Sequence, residues 1–197
     1  MKKILLKLTL VLAVFVTTTI EPGMQAQSAK SFRTQAGIMK LSGTSTFHDW
    51  TMNGAFQVTG DFHMAEGNKK LIAINSLQFL LPVENLKSDK KKLDETAYKA
   101  LKTETYKDIS FVMISSLIKE VPGNNYTITA YGNLTIAGVT KPITLNVNWV
   151  QHDDQTITCS GIQKLKMTDY QVKPPCFLGV MKTGDEIALD FNFQIKS

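Results

Sequence analysis

The sequence predicts an all-β fold, an antiparallel barrel or sandwich with one helix, on three observations. Apolar and polar residues alternate over run after run, which places successive side chains on opposite faces of half-buried strands. The runs are short, separated by turn residues at hairpin-like spacing, and lack the strand–helix–strand rhythm of a parallel sheet. Helical periodicity occurs in a single segment.

Met52, Gly54, Phe56 and Val58 alternate with Asn53, Ala55, Gln57 and Thr59, and Phe62 and Met64 keep the parity. Residues 66–70 form a turn. Leu77, Phe79, Leu81 and Val83 share the next parity, and Pro82 there marks a strand end or edge. Residues 88–101 break the pattern. Leu93, Ala97 and Leu101 recur every fourth position, which predicts an amphipathic helix capped by Ser88 or Asp89, with Lys90, Lys91 and Lys92 on its solvated face.

Strands resume with Ile109, Phe111 and Met113 and run to a turn at residues 121–125. Tyr126, Ile128 and Ala130 alternate, followed by Leu134 and Ile136, a turn over 138–142, and Ile143, Leu145, Val147 and Trp149. A turn at 151–154 precedes a strand over 156–160. The last run places Ile187, Leu189, Phe191, Phe193 and Ile195 on one parity. The total is about eight strands.

The N-terminus has another character. Lys2 and Lys3 precede an apolar stretch over 4–16, interrupted by Lys7 and Thr9, and the small residue Ala26 follows. This reads as a secretory signal cut near Ala26. The stretch is too short to stay as a span, which needs roughly 20 apolar residues. A lead-in over 27–36 and one domain over 37–197 remain, and the domain is long enough to bury a sizeable core. Removing residues 1–26 takes away Lys2, Lys3, Lys7 and Glu21 and lowers the net charge from +5 to +3, which does not point to nucleic acid. The product is periplasmic or secreted. That compartment permits a Cys159–Cys176 disulfide, worth about 3 kcal/mol if formed; free thiols are the alternative.

A barrel of this size either fills its interior with side chains or holds one small ligand. The residues that would line such a ligand are Phe56 and Val58, Phe79 and Leu81, Phe111 and Met113, Leu134 and Ile136, Leu145 and Val147, and Phe191 and Phe193. Periodicity alone favours the filled interior.

Residues 131–145, containing Leu134-Thr135-Ile136-Ala137-Gly138-Val139-Thr140-Lys141-Pro142, resemble the hallmark stretch of the YceI-like family of lipocalin-like, polyisoprenoid-binding periplasmic proteins. Asn133 stands where the family usually has Asp, and Ala137 where it has a basic residue. Gly43 to Trp50 resembles the family's first hairpin in a His-Asp-Trp variant, Tyr106 to Phe111 the strand after its helix, and Leu165 to Gly184 its last loop. The resemblance covers roughly residues 37–197. It implies an eight-stranded lipocalin-like barrel with a long apolar tunnel for an isoprenoid such as a quinone or prenyl phosphate.

Few residues offer other chemistry. His48, Asp49 and Trp50 are either a polar cap at the tunnel mouth, touching a head group, or a structural turn; Lys141 is either a second head-group contact or a solvated turn lysine. His63 and His152 complete the histidines, and no metal-ligand spacing, serine elbow or phosphate loop occurs. The expectation is therefore non-catalytic lipid binding or transport, with no cofactor beyond a bound isoprenoid, no catalytic or metal residues, no nucleic-acid partner and no stable membrane span, and with a homodimer left open. An enzyme or a stress-response interaction module is the alternative.

Overall fold

The structure, a computed structural model, describes residues 29–33, 37–65, 70–123, 125–152, 156–177 and 181–196. The signal-like segment and its cut near Ala26, and the turns at 66–69 and 153–154, lie outside them.

The strands are β1 (Ala29–Arg33), β2 (Gly37–Ser45), β3 (Trp50–Met64), β4 (Leu71–Pro82), β5 (Asp108–Val121), β6 (Asn125–Ile136), β7 (Val139–Gln151), β8 (Thr156–Lys166), β9 (Cys176–Phe177) and β10 (Met181–Lys196), with one helix, α1 (Lys91–Ala100), among the described residues. Every pairing is antiparallel. Neighbours follow the order β3-β2-β10-β8-β7-β6-β5-β4, and a β3–β4 ladder joins the ends, so eight strands close a barrel. Of the two sheet architectures allowed by the alternation, the closed one forms, which removes the free edges a sandwich would leave.

β1 is not a ninth stave. It pairs with β3 through Arg33↔Thr59 to Ala29↔His63, on the side that β2 borders lower down, so residues 29–33 of the expected loose lead-in are a strand. The hairpin between β6 and β7 is tighter than expected. Ala137 and Gly138, at φ 48 and 80, make a two-residue turn whose left-handed backbone matches the strand twist. β7 therefore starts at Val139, and Pro142 sits inside it opposite Asn133. Pro142 lacks an N–H, and it is tolerated because β7 pairs with β8 only over Asn148 to Gln151. β8 continues to Lys166, beyond the expected end at 160.

The helix is shorter than the predicted 88–101, and its cap position is Lys90, not Ser88 or Asp89. Ser88 acts one step removed. Its backbone N–H and its hydroxyl donate to Asp94 at 2.8 and 2.6 Å, while its Oγ accepts from the Lys90 N–H. Asp94 is buried, and Tyr98, one turn further along the same face, anchors the helix by donating to the carbonyls of Leu86 and Glu84. Asp94→Ala takes the acceptor from the half-buried Ser88 N–H and leaves the Ser88 hydroxyl only the Lys90 carbonyl. It is expected to cost about 1–3 kcal/mol, read as a lowered Tm.

Candidate functional site: an apolar lumen

The inward parity of the strands is almost wholly apolar, and three cavities follow one another along the barrel. The strand registers order them. Leu41, Met52, Ile136 and Ile187 line the first, at the end covered by α1. Met39, Phe56, Leu134 and Leu189, one or two inward steps further along the same strands, line the second. Phe62, Ile128, Trp149 and Ile195 line the third, at the far end. Their volumes are about 70, 30 and 20 Å³. The continuous tunnel implied by the family resemblance is therefore divided by side chains. Leu77, Val147 and Phe193 border both the second and the third cavity and form the wall between them.

Aromatic rings dominate the middle. Phe56 meets Phe79 and Phe193 edge-on at 5.9 and 6.1 Å, and Phe79 stacks on Phe111 at 6.0 Å. Glycines on neighbouring strands let these rings lie against the wall rather than across the lumen. A Cβ at Gly37, Gly132 or Gly161 would come within 3.0 Å of the ring of Phe56, Phe111 or Phe191 respectively. Met39, Met52, Met64, Met113 and Met167 are also buried. Unbranched methionines change rotamer at little cost, so the cavity walls that Met39, Met52, Met113 and Met167 line are adaptable.

The sequence-predicted lining residues separate as follows. Phe56, Val58, Phe79, Phe111, Leu134, Leu145, Val147, Phe191 and Phe193 all line the second cavity. Met113 lines the third and Ile136 the first. Leu81 is buried beside Gly54 and borders none of the three. Sequence reasoning missed the contribution of α1, whose Leu93, Ala97 and Leu101 roof the first cavity. Their stripe was visible, but a stripe that packs and a stripe that roofs a cavity have the same period. It also missed Gln163, which faces inward opposite Leu189.

Of the expected head-group residues, only Trp50 borders a cavity. Its ring lies over Gly43 and its Nε1 donates to the Thr44 carbonyl at 3.2 Å. His48 and Asp49 are exposed and line none of the cavities; the turn is held by Ser45, whose hydroxyl donates to the His48 carbonyl. Lys141 is exposed on β7 away from the cavities. Lys166 is the lysine at the mouth of the first cavity, together with Tyr170, whose hydroxyl burial pushes up to about 12. The mouth segment is pinned by Asp185, which accepts from the Thr168 hydroxyl and N–H at 2.6 and 2.9 Å; these bonds hold its carboxyl below the usual range.

Cys159 and Cys176 are free thiols, and the disulfide does not form. Cys159 is opposite Phe193 and Cys176 opposite Lys182, eleven residues apart along β10. At about 3.3 Å per residue that is on the order of 30 Å, far beyond the Cα spacing a bridge tolerates. Burial pushes the Cys159 thiol up, away from the reactive thiolate. A maleimide is expected to label Cys176 in the folded protein and Cys159 only after unfolding, read by intact mass.

Among the described residues no group of three or more His, Cys, Asp or Glu is placed to hold a metal, and no helix is long and apolar enough to cross a membrane. The solved structures similar to this one include a polyisoprenoid binding domain from Saccharophagus degradans implicated in plant cell wall breakdown, at TM-score 0.62 and 11% identity, covering 87% of this chain and 99% of that one. They also include BcnA of Burkholderia cenocepacia, at TM-score 0.56 and 21% identity, covering 79% of this chain and 95% of that one. At these identities the likeness shows the shared fold. No curated protein matches the sequence. The sequence profile of the family described as YceI-like domain matches residues 15–195, and the chain belongs to that family.

Proposed function

We propose that this protein is a non-catalytic carrier that holds a long apolar chain of the isoprenoid class along the barrel axis, after export to the periplasm. The observation that carries the reading is the line of three apolar cavities, bordered among the described residues by no carboxylate and no imidazole. Each methylene moved from water into such a lumen gains about 0.8 kcal/mol, so ten contribute on the order of 8 kcal/mol before ordering costs. The guest displaces the side chains between the cavities, Leu77, Val147 and Phe193 among them, as it enters, joining the cavities into one channel. The name of the Saccharophagus degradans relative, a polyisoprenoid binding domain, supports the chemical class. The signal-like residues 1–26 support the compartment.

An enzyme acting on an apolar substrate needs ionisable groups converging on the cavity, and His48 and Asp49 face solvent instead. Native mass spectrometry of protein purified without detergent tests the carrier reading. An adduct with the mass of an isoprenoid lipid is expected. Protein that carries none, and takes up neither a long-chain prenol nor an isoprenoid quinone when offered them, overturns it.

A further inference from the structure

The barrel wall is not uniformly stitched. β4 and β5 pair from Pro82↔Asp108 to Gln78↔Val112, and no ladder joins β4 residues 71–77 to β5 residues 113–121. Those residues remain paired on their other sides, β4 to β3 and β5 to β6. Register slips accompany the parting. On β4 they leave Asn75 and Ile72 without opposite numbers on β3, and on β5 one leaves Ile114 without an opposite number on β6. Such insertions bend a strand and raise its twist, which ends pairing locally. The unpaired stretch is about 20 Å long at 3.3 Å per residue.

The side chains on the two faces of this slit differ in a telling way. Inside, half-buried Ile74 and Leu77 and buried Met113 line the second and third cavities. Outside, Ile72, Ile114 and Leu117 are 43%, 70% and 63% exposed. Of the ten large hydrophobic residues exposed among the described residues, five lie on β4 and β5. The other thinly stitched seam, between β7 and β8, carries one such residue, Ile162. At its far end the β4–β5 slit is clasped. Lys70 Nζ meets Glu120 Oε1 at 2.7 Å, and the Leu71 N–H donates to the Tyr126 hydroxyl at 3.0 Å.

We infer that the β4–β5 slit is the side portal through which an apolar chain enters and leaves the lumen, with Ile72, Ile114 and Leu117 as its lips and the Lys70–Glu120 and Leu71–Tyr126 contacts as its clasp. The inference rests on the carrier reading. A chain entering sideways passes from Ile72, Ile114 and Leu117 on the outside to Ile74, Leu77 and Met113 within, beside the polar Asn75, Ser115 and Ser116 of the same strands, and needs no displacement of α1, which roofs the first cavity. The clasp is closed with the chain outside or fully inside and opens only while it passes. Weakening the clasp therefore raises uptake and release together and leaves their ratio unchanged.

Stopped-flow transfer of a fluorescent long-chain prenol from phosphatidylcholine vesicles tests this. E120Q with Y126F is expected to raise both rates about tenfold, an effect set by losing an exposed ion pair and one hydrogen bond, while Kd changes less than about twofold. I114E puts a charge on a lip and is expected to slow both rates by a similar factor. E186Q removes the Lys164–Glu186 contact elsewhere on the surface and is expected to change neither. Wild-type binding with rates indifferent to the clasp and the lip overturns the portal alone. Absence of binding by the wild type overturns the carrier reading, and the portal with it.

Discussion

Val147→Phe is expected to separate guests by length. Val147 is buried and borders both the second and the third cavity, so a phenyl ring there fills the passage between them. Overpacking of this kind costs about 1–3 kcal/mol, which leaves the barrel folded. A short prenol that reaches only the first and second cavities loses little. A longer one forfeits about 0.8 kcal/mol for each methylene kept out of the third, so excluding three or four weakens it about 100-fold. Calorimetric titration with prenols of increasing length reads the effect as a break in affinity beyond a certain length. Uniform weakening across the series, or none, means that the chain does not lie along the axis.

Phe111→Ala is expected to be the most destabilising truncation and also the most rescuable. The ring is 0% exposed, stacked on Phe79 and laid over Gly132, so its removal leaves a void that the closed barrel cannot collapse around. Losses of about 3–5 kcal/mol follow for such sites, a large share of the 5–15 kcal/mol that typically holds a domain together. The void adjoins the second cavity, so a small apolar guest that binds only the folded form returns part of the loss by mass action. Thermal unfolding with and without a short prenol is expected to show a larger rise in Tm for the variant than for the wild type. Phe47→Ala, at an exposed ring in the first hairpin, is expected to stay within about 0.5 kcal/mol. An equal response of the variant and the wild type to the guest removes the argument that Phe111 borders a ligand-accessible space.

Much of this architecture is legible without coordinates because a strand's period is two. Once Phe56 and Val58 share a face, every alternate residue of that run shares it, and β3 is buried in that alternation from Met52 to Met64. The same arithmetic places Phe111, Leu134, Val147 and Phe193 inward. It fails where the ladder slips, at Ile72 and Ile114, because a one-residue insertion changes the face without changing the composition. It fails again at the helix start, where Asp94 reaches back six residues to Ser88 and leaves the cap position itself to Lys90.

The sequence by itself determined the eight barrel strands, most of their inward faces, the helix over residues 91–100 and, through residues 131–145, the family and with it the closed barrel. These follow from local periodicity and turn chemistry, which act over a few residues. Only the tertiary structure decided that the two thiols are far apart, that the lumen is partitioned and that the wall parts between β4 and β5. Those features depend on which strands meet and in what register, and contacts between residues far apart in the chain leave no periodic trace in it.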